Sequence, residues 1–297
     1  MASIEFCSMR RIPPGPENSP ATFQALFCDR TLFMDSRVTP ALDDRLTLIS
    51  IAALACIVQD ILHEGVGHGV TSWLSGAHTL TISTVALQSD ISTRWISANG
   101  TLVNLLVGAI LWFLLRNPKR YSPATFYFLV LTMAGNLFTG TGYFLFSGFA
   151  GFGDWDAVIQ GLHPYWLWRV GLVLLGIPSY FASMLLAGRK LQEFSRGDTG
   201  PRRIRRLAWT PYFTDGLLAG VAGLFNPAGL FYVIASALPS TLGANAGLLS
   251  LPGMMRRLRQ PAESVGTIHR SAAWIATAAV ATLLFIFVLG RGLTWSR

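Results

Sequence analysis

His63, Glu64 and His68 stand within six residues of one another in the run Asp60-Ile-Leu-His63-Glu64-Gly-Val-Gly67-His68-Gly. Two imidazole nitrogens can hold a divalent ion such as zinc while a neighbouring carboxylate takes the proton of a metal-bound water, the division of labour in metal-dependent hydrolysis. The run closes a long apolar stretch that begins at Leu46, so these groups fall at or near membrane depth, where ionisable side chains are costly and mark function. Their spacing sets a geometric condition. Histidines four apart, as in HExxH, lie about 40° apart around a regular helix, whereas His63 and His68, five apart, lie about 140° apart and do not face one ion. A single extra residue taken up as a π-bulge restores the facing, and Gly65, Gly67 and Gly69 leave the backbone free to form one. The competing reading is a buried i,i+4 pair of Glu64 with His68 in a transport or scaffold protein.

The rest of the chain must place these groups in a bilayer. Its 297 residues are 52% hydrophobic and only 13% charged, which excludes an ordinary soluble domain and predicts an all-α polytopic integral membrane protein. The net charge of +8 sits in clusters beside apolar segments, a pattern of membrane topology and anionic headgroups rather than of nucleic-acid binding. Cys7, Cys28 and Cys56 show no paired spacing, so neither a disulfide framework nor a cysteine-held zinc is expected.

Residues 1–45 are polar and proline-rich and read as a largely disordered tail, without the basic start and apolar core of a signal peptide and with an interfacial turn expected at Phe23 to Phe27. Apolar runs then predict spans over 46–74, 96–115, 124–146, 165–188 and 271–289. The stretch 212–252, broken by Asn226-Pro227, Pro239 and glycines, reads as a re-entrant hairpin or two short passes, giving six to seven transmembrane helices. After the first span, residues 78–91 alternate apolar with Thr and Ser, the pattern of a β-strand or hairpin insertion. The basic loops at 116–120, 189–206 and 256–270 fall on one side, predicted cytoplasmic, and the acidic loop at 148–163 on the other. That acidic loop offers a third metal ligand, Asp154 or alternatively Asp156, with His163 a weaker candidate. Asp60 is either an acceptor behind a ligand imidazole or simply a polar residue, and Asn104 suits an interhelical hydrogen bond.

This order of features resembles the site-2 protease (M50) family of membrane-embedded zinc metalloproteases. The resemblance lies in a His-Glu helix with Gly76 eight positions after His68, a strand segment at 79–88, the sequence Gly100-Thr-Leu-Val-Asn104 and the later Gly153-Asp154-Trp155. It covers roughly residues 46–160. The chain departs from the family in having HExxxH for HExxH, Thr101 where the family has Pro, and Asn226-Pro227-Ala228-Gly229 with alanine at an acid position. The HExxxH ending Gly67-His68 is also similar to the HExxGH of zinc dipeptidyl peptidases. The resemblance divides the chain into the tail, a metalloprotease core at 46–164 and a C-terminal helical part at 165–297. It implies zinc held by His63, His68 and Asp154, Glu64 as the catalytic base, Asn104 or Asn136 polarising the carbonyl, and a membrane protein or peptide as substrate. The alternative from another class is a non-enzymatic membrane protein, a transporter or a degenerate protease-like scaffold.

Overall fold

Among the described residues, five helices are long and apolar enough to cross a bilayer: α1 (Arg45–Leu74), α2 (Arg94–Leu114), α3 (Pro123–Ala150), α5 (Tyr165–Gln192) and α8 (Ala272–Leu289). They come from a computed structural model that describes residues 42–194, 200–227, 233–255 and 264–296. The predicted tail up to residue 41, the turn at 23–27 and the arginines of 256–259 lie outside the described residues. Each of four span starts has its cap. Asp44, Thr93, Ser122 and Ser271 each accept the N–H of the residue three positions on, which relieves an orphan donor of the first turn.

The sequence predicts six to seven spans, and among the described residues any beyond the five rest on the region after α5. The helix α6 (Gly200–Leu224) opens on Arg202, Arg203, Arg205 and Arg206, which the charge pattern alone assigns to a loop, and it carries Pro211 inside. Pro211 cannot donate to the carbonyl of Leu207, and the Tyr127 hydroxyl donates to that carbonyl instead at 2.8 Å. Beyond it, residues 233–255 wind without interruption through π-turns at Val233–Ala237 and Pro239–Gly243, a 3-10 turn at Ala244–Ala246 and the helix α7 (Gly247–Met255).

The helix α3 is the centre of the bundle, packed against α1, α2 and α5. Leu48 and Ile51 of α1, Phe126, Tyr127, Met133 and Phe138 of α3, Leu191 of α5 and Leu207 of α6 form the dry core. Arg203 fastens the start of the bundle. Its Nε and Nη2 reach the two oxygens of the buried Asp43 at 2.8 and 2.7 Å, and Asp43 also accepts the N–H of Ile268 at 2.9 Å. A fork-to-fork pair with a further backbone donor satisfies both charges inside. Residues 42–45, read from sequence as the end of the tail, are therefore tied into the bundle.

The predicted hairpin is present as β1 (Thr79–Ile82) and β2 (Leu87–Ser89), antiparallel with Thr81 opposite Gln88. A third strand, β3 (Leu293–Ser296), pairs with β1 on its other side, and the Thr81 and Thr294 hydroxyls meet across the pair at 2.8 Å. The order is β2-β1-β3, which leaves β2 with a free edge in this sheet. A four-residue strand at the end of the chain was not legible from periodicity, because two alternations are too few to tell from a loop.

Candidate metal centre

The second half of α1 is not wound as an ordinary α-helix. Ile61–Val70 is a π-helical stretch set between α-helical turns, continuous with both. The i→i+5 bonding of that winding brings residues five apart onto one face, as α winding does for residues four apart. His63 Nε2 and His68 Nε2 accordingly stand 3.2 Å apart, with the rings edge to face. Asp154 Oδ2 lies 3.2 Å from the first and 3.3 Å from the second. Glu64 is buried beside them, and His63, Glu64 and His68 each offer a ligand atom within 4.8 Å of one another.

The other face of each ring fixes its protons. Asn136 Nδ2 donates to the backbone carbonyl of Thr132 at 2.8 Å, which turns its oxygen toward Asn104. Asn104 must then donate with its nitrogen, at 2.7 Å, and present its own oxygen to His63 Nδ1 at 2.6 Å. His68 Nδ1 meets the carbonyl of Ile96 at 2.6 Å. Both Nδ1 atoms are therefore donors, and both Nε2 atoms present lone pairs to the same point as the Asp154 oxygen. Three acceptors at such distances repel unless a positive charge lies among them. The ligands of a tetrahedral ion at about 2.0–2.1 Å stand about 3.3–3.4 Å apart, which is the size of this triangle. Glu64 Oε2 and Asp154 Oδ2 are buried without a hydrogen-bond donor, as ligand and base oxygens would be. The donor set and its spacing thus fit a metal ion.

The approach of α2 to α1 explains two glycines. A side chain at Gly67 would strike the backbone of Gly100, with Gly100 N at 2.8 Å and Asn99 O at 2.9 Å. One at Gly100 would strike the His68 ring and come to 2.8 Å from His63 Cε1. The residue that stands where HExxH has its second histidine is thus the contact point of two helix backbones.

Asp154 opens the short helix α4 (Asp154–Ile159), in a stretch the sequence predicts as loop. Gly153 precedes it with φ of 93°, a conformation only glycine adopts readily, and Gly151 ends α3 with φ of 63°. Arg169 of α5 holds this arm at its entry, donating to the carbonyls of Gly148 at 2.9 Å and Phe149 at 2.6 Å. Tyr165 holds its exit by donating to Asp156. Asp156 is thereby engaged with α5, so of the two acids only Asp154 meets the histidines.

Several candidates take other places. His163 is exposed. The acceptor role weighed for Asp60 is filled by Asn104 and Ile96, and Asn104 and Asn136 have their amides engaged in orienting His63, away from any carbonyl to be polarised. Tyr143, not singled out from sequence, stacks on His63 with ring centroids 5.0 Å apart. A cavity of about 730 Å³ opens onto the centre, lined by Glu64, His68 and Asp154, by residues 87–89 of β2, and by aromatics that include Tyr143 and Phe146. Comparison with protein-family models, with curated proteins and with solved structures finds no match.

Proposed function

We propose that the chain is a membrane-embedded zinc metalloprotease of the site-2 type, hydrolysing peptide bonds in or beside the bilayer. The observation that carries the reading is the triangle of His63 Nε2, His68 Nε2 and Asp154 Oδ2, with edges of 3.2, 3.2 and 3.3 Å, beside the buried Glu64. Bound zinc supplies a water acidified toward neutral pH and a Lewis acid for the scissile carbonyl. His63 and His68 hold the ion in one tautomer each, oriented by Asn104 and Ile96. Glu64 accepts the water's proton and returns it to the leaving nitrogen. An extended substrate adds to the free edge of β2, where Leu87, Gln88 and Ser89 face the cavity, so its backbone is held by strand pairing and its apolar side chains by the aromatic wall. Such pairing needs substrate that has left its own helix, and the 79–89 hairpin supports the unwinding. The Arg-rich segments face the cytoplasm in this reading, with the region between α5 and α8 as a re-entrant hairpin or further passes.

The test uses the purified full chain in detergent micelles with a peptide of transmembrane composition. Zinc content of about one per chain is expected in wild type and in Glu64→Gln, and its loss in His63→Ala, His68→Ala and Asp154→Ala. Cleavage should fall by about 10²- to 10⁴-fold or more in Glu64→Gln. Wild-type turnover in Glu64→Gln overturns the role of Glu64. Zinc in the wild type without cleavage of any peptide assigns the chain to the scaffold class.

A further inference from the structure

A second group of polar atoms lies inside the bundle, apart from the cavity at the metal centre. Asp215 of α6 and Asn245 of the 3-10 turn are both buried, 6% and 2% exposed, and Asp215 Oδ1 and Asn245 Oδ1 have no hydrogen-bond partner. They share a small cavity of about 10 Å³ with Gln59 and Cys56 of α1 and Gly135 of α3. That is about the room one water-sized guest occupies. Asn245 Nδ2 approaches Asp215 Oδ2 only at 3.5 Å, and among the described residues no lysine, arginine or histidine pairs with Asp215.

Three facts have to be met together: an uncompensated carboxylate inside the bundle, two unpaired acceptor oxygens on different elements, and a void between them. A water fills the void and serves the acceptors but leaves the charge. A proton on Asp215 removes the charge and lets Oδ1 donate to Asn245 Oδ1, but it leaves the void. A dehydrated monovalent cation meets all three, since it is positive, takes several oxygen ligands and has the size of the void. Asn245 lies in a 3-10 turn directly after a π-turn, where the winding of the helical run departs from the α form. Gln59 is held in place by its Nε2, which donates to Thr139 Oγ1 at 2.7 Å, leaving its carbonyl oxygen for the cavity.

We propose that this cavity is a binding site for a single small monovalent cation of sodium's size, held by the Asp215 carboxylate and the amide oxygen of Asn245 with Gln59 at its rim. The cation joins Asp215 of α6 to α1 and to the 3-10 turn before α7. The site is independent of zinc and of proteolysis.

The experiment is equilibrium binding of radioactive sodium to the purified full chain, with thermal unfolding followed in sodium chloride against choline chloride at one pH and ionic strength. Wild type should bind about one sodium per chain and show a saturable rise in Tm with sodium that choline does not give. In Asp215→Asn and in Asn245→Ala, affinity should fall at least about tenfold and the sodium-specific rise should vanish. Because Asp215→Asn removes a buried charge while keeping the shape, it remains folded. His63→Ala should bind sodium as wild type does. No stoichiometric sodium in wild type, equal effects of sodium and choline, or unchanged binding in Asp215→Asn each overturns the proposal and leaves a protonated carboxyl with a water.

Discussion

Among the described residues, two of the five long apolar helices loosen into π winding near one end, and they differ in what the loosening does. In α1 the π stretch Ile61–Val70 buries His63, Glu64, Gly67 and His68 and turns them toward α2 and Asp154. In α8 the π stretch Phe285–Leu289 carries Phe, Ile, Phe, Val and Leu, of which only Phe285 is buried, while Phe287 and Val288 stand exposed where lipid would be. Winding alone therefore does not mark a site. What distinguishes α1 is that the wide turn is over-determined from outside: Asn104, Ile96 and Asp154 take hold of its two imidazoles, and Gly67 lies on Gly100. A π turn with no such holders is only an irregularity in a helix whose apolar face is exposed.

The largest expected effect comes from pushing α2 away from the π stretch. In Gly100→Ala the new methyl falls on the His68 ring and near His63 Cε1, and rings gripped at Nδ1 have little freedom to yield. Overpacking of this kind costs about 1–3 kcal/mol, and placed wholly on the metal-binding geometry it weakens zinc by about 10- to 100-fold or more. Competition with a zinc-specific chelator measures it. The matched change in α8, Val288→Phe at a lipid-facing position, should leave zinc affinity unchanged; loss in both would mean that the comparison reports general bundle stability.

A smaller effect is expected from releasing one ring without crowding it. Asn104→Leu removes the acceptor that sets the His63 tautomer and leaves the Asn136 oxygen unpaired. Loss of an outer hydrogen bond of this type costs about 10- to 100-fold in metal affinity, and with no methyl pressing on the ring the lower end of that range is expected. Asn136→Leu, one bond further out, should cost less than Asn104→Leu in the same competition assay. Equal losses would show that the two amides act as one rigid unit.

Much of this arrangement was legible in the residues, and the limits have physical causes. The apolar runs gave all five long helices, because a bilayer demands about 20 apolar residues and tolerates few exceptions. Arg203 was assigned to a loop because charge density reports sidedness and not winding; only its burial against Asp43 shows why a helix starts among arginines. At the site, His63, Glu64 and His68 announce themselves by type and spacing, whereas Asn104 and Asn136 are 32 residues apart and look like two separate packing amides. Their connection exists only in the contact of α2 with α3. Tyr143 gave no signal at all, since an aromatic in an apolar span is ordinary, and Arg169 acts through backbone carbonyls that the sequence cannot mark.

The sharpest way to break the comparison is also the change expected to do least. Deleting Gly65 shortens HExxxH to HExxH and removes the residue that the wide turn accommodates. Gly65 makes little packing of its own: a methyl there would meet only Ile61 Cγ2, at 3.7 Å. Without it, His63 and His68 become four apart and lie about 40° apart on an ordinary α-helix, so both still face α2 and Asp154. Gly67 and His68 keep their seats against Gly100 and Ile96, because the flanking turns of α1 on either side are already α-wound and in line. Zinc affinity in the deletion variant should therefore stay within about tenfold of wild type, below the loss expected for Asn104→Leu. A loss as large as that of Gly100→Ala would show that the π turn itself sets the ligand geometry, and that the resemblance to an α-helical HExxH stops at the residue types.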